Sequence, residues 1–367
     1  MSDDETHWQN FLLEGLLPHK HLILNALTEV STISHAGKLF PLTANLAGTA
    51  ATSWVTSLRN SYGPYARAET DLVRMHPVLQ PIYRAASCVA ESLLCAGGLA
   101  GGAFANNWLL ATNLFPQAMP DLLALRDVSL IRYPNLPVIF RSLTPTLHAT
   151  LLAKLAAHGF ILLPTRQVWI TESLSSGYWR RYADVKKDFK LEAQAAPGSI
   201  WVDGQDFSDA DFQRAVALYN ALYREKYPHF NPAYTETFLR IGVSTGWLRL
   251  YGLRYAASQA LAGMVGIVKR GHVCATPVLG YDLNAPKQQG IYRRLMLKAF
   301  LETEKLGNVL HCSGGAGAFK LNRGAKPSVE FAAIWMEHLP SYKMSAINVL
   351  NRMVKKFALP YLEKHIL

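Results

Sequence analysis

Lys287-Gln-Gln-Gly-Ile-Tyr-Arg-Arg294 is the segment whose residue types and spacing hold most chemical promise. Gly290 precedes an amphipathic run to Leu306, so these residues read as a loop that opens a helix. A helix start offers unpaired amides and roughly half a positive charge, a ready cradle for phosphate. Gly290 admits close approach to the backbone. Lys287, Arg293 and Arg294 add charge, and Gln288 and Gln289 add neutral donors. That combination points to a group carried on a phosphate-bearing donor. The same residues also fit a plain helix start with a solvated basic flank.

The elements that would position this loop are legible around it. Trp247–Leu253, Leu261–Lys269 and Val273–Tyr281 read as three apolar strands, the last two joined by Arg270-Gly271-His272 as an antiparallel meander. In the helix after Gly290, Ile291, Leu295 and Ala299 share one face. Gly307 closes it and Val309–Ser313 returns as a strand. Upstream, Pro137–Leu143 is strand-like and Thr144-Pro145 supplies an N-cap and a first-turn proline. A helix to His158 follows, then Gly159, then a strand over Phe160–Ile170. Gly159 and Gly307 thus close similar strand–helix–strand units, which hints at a duplicated fold. Pro197-Gly198 marks a linker, and Ser208 N-caps a helix reaching Tyr223.

With 367 residues the chain exceeds the ~250–300 at which single cores stop growing, and suits two domains. Half of it is hydrophobic and 17% charged, which excludes extensive disorder. The net charge of +11 favours polyanionic partners: nucleic acid, anionic lipid, a phosphorylated cofactor or an acidic carrier protein. Cys88, Cys95, Cys274 and Cys312 have no metal-site spacing, so no metal and no disulfide framework is expected. Reduced thiols and an acidic N-terminus lead to a cytoplasmic expectation. Ser92–Pro120 carries no charge but is rich in Gly and Asn, and reads as a buried helix and loop. No nucleophile elbow, zinc-protease, Walker or dinucleotide motif is present, so those classes fall away.

The order of meander, loop, helix and strand resembles the acyl-CoA N-acyltransferase (GNAT) superfamily, with Gln288-Gln-Gly-Ile-Tyr-Arg293 in the place of its pyrophosphate loop. The second small residue of that loop is replaced by Tyr292 or Arg293. Phe319-Lys-Leu-Asn-Arg-Gly-Ala-Lys-Pro327 looks like the Phe-Lys-x-x-x-Gly-Ala-x-Pro segment of the Fem-like, tandem-GNAT branch. That branch includes enzymes that transfer aminoacyl groups in peptidoglycan bridge synthesis, and other bacterial acyltransferases. The resemblance implies an α+β (mixed α/β) chain of two tandem GNAT-like domains, each a mostly antiparallel sheet flanked by helices. Residues 1–196 would form the structural or acceptor side and 197–341 the donor-binding half. Residues 342–367 would form a basic amphipathic helix, packed on the body or touching a membrane.

Amine acylation needs a base, a polarised carbonyl and an acid for the leaving group. The resemblance places carbonyl-binding amides at a bulge over Leu279-Gly280-Tyr281. Asp282 is the candidate base or ammonium anchor, Tyr281 the candidate acid and Glu225 a further catalytic candidate, which with the substrate-binding candidate Tyr227 lies near the acceptor wall. As alternatives, Asp282 opens a turn, Tyr281 packs and Glu225 forms a surface ion pair. Leu279 and the run Lys287–Arg294, including Ile291, are expected to bind the donor. Ser313, Phe319, Lys320 and Arg323 are expected to bind substrate, with a Gly-rich anion nest beside them. The expected reaction moves an acyl group from acyl-CoA, or from the phosphopantetheine of an acyl carrier protein, to an amine on a small molecule or peptide. Alternatives are an aminoacyl-tRNA donor and a non-catalytic binding protein that keeps the fold.

Overall fold

The computed structural model describes all residues except 1, 2, 20, 73–76, 78, 196, 197, 226–229, 308 and 367. Its strands are β1 (Glu29–His35), β2 (Lys38–Asn45), β3 (Gly102–Ala105), β4 (Val138–Leu143), β5 (Ile161–Thr171), β6 (Ser199–Asp203), β7 (Arg249–Tyr255), β8 (Leu261–Arg270), β9 (Val273–Tyr281), β10 (Val309–His311) and β11 (Lys326–Trp335). They join in one mixed sheet, ordered β1-β2-β3-β4-β11-β5-β10-β9-β8-β7-β6.

The order repeats outward from the central β11–β5 pair, with four strands on one side and five on the other. On each side one parallel pair occurs, β3–β4 and β9–β10, and a helix links its members: Leu122–Arg132 and Ile291–Leu306 respectively. Each half then closes with a strand delivered into the other. β5 pairs antiparallel with β10 and β11, and β11 with β4 and β5. This corrects the match between Gly159 and Gly307. The helix that Gly159 follows, Pro145–Ala157, leads into the exchanged strand β5, so its counterpart is the short helix Gly317–Leu321 that leads into β11. A strand–helix–strand pattern in sequence cannot tell neighbouring parallel strands from strands with a third between them.

Alternation along β11 shows how the sheet sorts its two faces. Ala333 joins a cluster with Leu122, Leu125, Leu152 and Leu155 of two helices, while Ala332 and Ile334 join another with Leu58, Leu94, Ile347 and Leu350. The C-terminal half sorts likewise. One cluster carries Phe11, Phe212, Leu218, Phe238 and Met264, and the other Val265, Leu295, Ala299, Phe300 and Leu310. The helix Ser341–Met353 packs on the body through Ile347 and Leu350, both fully buried. Ser92–Pro120 supplies the end of the helix Leu79–Ala96, strand β3 and a buried loop. Among the described residues no helix is long and apolar enough to cross a membrane.

Candidate functional site

The expected donor loop sits at the mouth of a gap in the sheet. β9 pairs with β10 only over Val273–Ala275, after which the rest of β9 stays paired with β8 alone. Gly290 adopts a left-handed conformation (φ 54°), the helix Ile291–Leu306 starts there, and no side chain caps it. Tyr281, Tyr292 and Phe319 converge on this mouth, with ring centroids 5.9 and 4.8 Å apart. The Arg323 guanidinium lies 3.5 Å from the Phe319 centroid.

The helix Ala183–Ala195 lies over this start and takes up most of its charge. Arg293 donates to Asp188 at 2.6 Å, and Arg294, almost fully buried, donates to Glu192 and Ser199 at 2.6 Å each. Glu192 also accepts from Trp201, and despite its partial burial these donors hold its carboxyl below the usual range. Leu191 stands so close that a Cβ on Gly290 would come within 2.4 Å of it. Arg293 and Arg294 are therefore structural cations here, not open phosphate ligands. Lys287 and Gln288 remain exposed and Gln289 half-buried; Ile291 and Leu279 are core residues.

Other expected residues divide clearly. The bulge expected over Leu279–Tyr281 is displaced: those three pair in register with Val265, Met264 and Gly263, and the shift falls between Val278 and Ala275. Gly280 is small because the backbone of Leu218 and Tyr219 presses on it, within 2.6 Å of a would-be Cβ. Asp282 accepts from the Asn284 amide at 3.0 Å and pairs with Arg214 at 3.4 Å, the role of a turn residue. Glu225 is exposed at the end of a π-turn, and Tyr227 lies outside the described residues.

Lys320 and Arg323 are not free counter-ions. Lys320 is buried and its ammonium donates to the carbonyls of Cys312, Ser313 and Gly314 at 2.6, 3.3 and 2.7 Å. Burial lowers it to about 8. Arg323 grips Asp188 with two donors, at 2.6 and 3.0 Å. Lys320 thus locks the turn that carries Ser313, whose hydroxyl meets Thr112 at 3.3 Å.

A second polar centre, which the sequence reading passed over, lies where the halves meet. Arg141 (β4), Arg166 (β5) and Glu330 (β11) line a cavity of about 30 Å³ together with Trp54, Tyr65 and Thr165. Two register shifts bracket it, one on β4 beside Ser142 (φ 63°) and one on β5 at Thr165, and such bulges re-aim side chains. Glu330 holds Arg166 through two bonds of 3.1 and 3.2 Å. Both guanidiniums stack on Trp54, at 4.7 and 4.9 Å. Nearby, His311 Nδ1 accepts from the Ser313 amide at 3.2 Å, while its buried Nε2 has no partner among the described residues. Burial, then Arg166, His148 and Lys320, hold this imidazole at about 3. The visible signal of this centre in the sequence was an arginine inside each of two mostly apolar strand runs, Pro137–Leu143 and Phe160–Ile170.

No protein-family model matches the chain, and no curated protein matches it by sequence. Solved structures do. FemX is 10% identical and superposes over 93% of each chain with a TM-score of 0.51. L-PGS from Bacillus licheniformis is 13% identical over 62% of this chain and 77% of its own, at 0.46. A tandem GNAT protein from the clavulanic acid biosynthesis pathway is 13% identical over 64% and 75%, at 0.35. The last two superpose too loosely to bear on the fold, whereas FemX spans both halves. The chain shares the fold of FemX over nearly its whole length.

Proposed function

We propose that the protein is an acyltransferase that passes an acyl group from a phosphopantetheine-bearing donor, acyl-CoA or an acyl carrier protein, to an amine. The observation that carries this reading is the gap beside β9, with the uncapped helix start at Gly290 above it. A thioester arm laid in that gap would find the first-turn amides and Lys287 for its phosphates. Tyr281, Tyr292 and Phe319 would flank its acyl end. The neutral amine attacks the thioester carbonyl, the C–S bond breaks, and the proton that the nitrogen gives up is passed on to the departing thiolate. Tyr281 stands at the mouth for that last step, while Asp282 is already engaged by Arg214 and Asn284.

A second reading, an aminoacyl-tRNA donor, is favoured by the pairing of Arg293 and Arg294 with Asp188 and Glu192. That pairing leaves little charge for a diphosphate. Native mass spectrometry and calorimetry with CoA thioesters separate the two. Binding that weakens several-fold in Lys287→Glu supports the CoA-type donor. No thioester binding, together with amide formation from charged tRNA, replaces it by the second reading.

A further inference from the structure

The helix Leu79–Ala96 lies antiparallel beside the helix Ser341–Met353 and the turn Val354–Ala358 that continues it. Gly97 abuts Ala346 at one end, and the Tyr83 hydroxyl donates to the Phe357 carbonyl at 2.9 Å at the other. Both helices bury one face in the same cluster, Leu94 on the first and Ile347 and Leu350 on the second. Their opposite faces therefore point the same way, off the sheet. On the first helix Ile82, Ala85, Val89, Ser92 and Ala96 follow one another at spacings of three and four, so they share a face. All five are exposed and none is charged, whereas a helix face in water ordinarily carries charge. The charges this helix does have are matched elsewhere: Arg84 pairs with Asp71, and Glu91 with Arg59 and Arg67. On the second helix Tyr342, Ser345, Val349 and Arg352 form the exposed face, and Phe357 stands just beyond it. Ile82, Val89, Tyr342, Val349 and Phe357 are each 48–59% exposed, so the paired helices present an apolar strip to solvent.

The charge around this strip has one sign. From Ser341 to Ile366 five basic residues, Lys343, Arg352, Lys355, Lys356 and Lys364, stand against one acid, Glu363. Among the described residues none of the five forms an ion pair, and Lys356 rests 5.4 Å from the Phe357 ring centroid. We propose that this face docks the protein on the surface of an anionic bilayer, with both helices lying in the membrane plane. The apolar side chains enter the headgroup boundary, and the unmatched cations around them meet the lipid anions. The contact is peripheral, since no described helix is long and apolar enough to cross. A second copy of the chain fits this face poorly, because pairing it with itself sets Arg352, Lys355 and Lys356 of both copies together. The inference stands independently of the transfer reading.

Co-sedimentation of the full chain with vesicles tests it, using equimolar phosphatidylglycerol and phosphatidylcholine against phosphatidylcholine alone. The expected result is binding to the mixed vesicles, far weaker binding to phosphatidylcholine, and release as salt rises. Lys355→Gln with Lys356→Gln should weaken binding about tenfold or more, at about fivefold for each cation removed. Val89→Ser with Val349→Ser should weaken it several-fold. Lys186→Gln with Lys190→Gln removes the same charge from the helix Ala183–Ala195 and should leave binding nearly unchanged. All six positions are exposed, so none of these variants puts folding at stake. An absence of binding to mixed vesicles, equal binding to phosphatidylcholine, an unaltered Val89/Val349 variant, or an equal loss from the Lys186/Lys190 pair overturns the proposal. A concentration-dependent dimer in analytical ultracentrifugation that Val349→Arg breaks would overturn it too, and assign the face to a second copy.

Discussion

Asp188→Asn is the most informative single change. The side chain keeps its shape, so what is lost is one negative charge beneath Arg323 and Arg293. Asp188 and Arg323 are almost fully buried, with side chains 2% and 6% exposed, and removing one partner of such a pair costs about 3–5 kcal/mol. Arg293 is a third exposed and adds at most ~1 kcal/mol, and Asp184, 3.9 Å from Arg323, recovers a similar amount. Unfolding entropy of about 2.1 cal/mol/K per residue gives roughly 0.8 kcal/mol/K for 367 residues, so the melting midpoint should fall by about 4–6 °C. Differential scanning calorimetry at neutral pH reads this directly. A midpoint within about 1 °C of wild type would refute the claim that these ion pairs, and not burial alone, clamp the helix Ala183–Ala195 over the helix Ile291–Leu306.

Two other outcomes are expected. The unfolded chain takes up a proton on His311 near pH 6.5, whereas the folded chain, with the group at about 3, does not. Stability is therefore full above pH 6.5 and declines as pH falls towards 3, by about 1.4 kcal/mol per unit from this residue alone. Half-buried His148, held at about 4 chiefly by burial, adds a smaller effect of the same sign. Urea midpoints taken from pH 7 to 5 should drop, and drop less in His311→Asn; equal slopes in both proteins would contradict this. Gly280→Ala should cost about 1–3 kcal/mol or more in urea denaturation, because the new methyl meets backbone at 2.6 Å. A neutral result would show that the helix Asp209–Asn220 sits further from β9 than described.

The parts legible in the sequence were those with strong local signals. The β7–β9 meander, the helix after Gly290 and the capped helices at Thr144 and Ser208 follow from period and punctuation, and each appears within a few residues of its expected place. The β1–β2 hairpin was missed, although Ala36 and Gly37 (φ 49° and 71°) make a two-residue turn, because its mixed residues alternate weakly. Exchange of β5 and β11 leaves no local trace at all, since both are ordinary apolar strands whose partners are chosen by the whole sheet. The helix start at Gly290 was legible, but the carboxylates that occupy its arginines come from a helix about a hundred residues earlier. Charge in a motif says where cations are and nothing about whether they are already matched.

The exchange of closing strands also sets an order on synthesis. β4 has no neighbour on its inner side until Lys326–Trp335 has left the ribosome, so a nascent chain carries a bare, hydrophobic strand edge for most of translation. Pairings that bridge nearly two hundred residues also form slowly once the chain is released. Truncation ahead of Lys326 would therefore damage the part of the molecule made first. It should leave an aggregating product, not a free-standing N-terminal half.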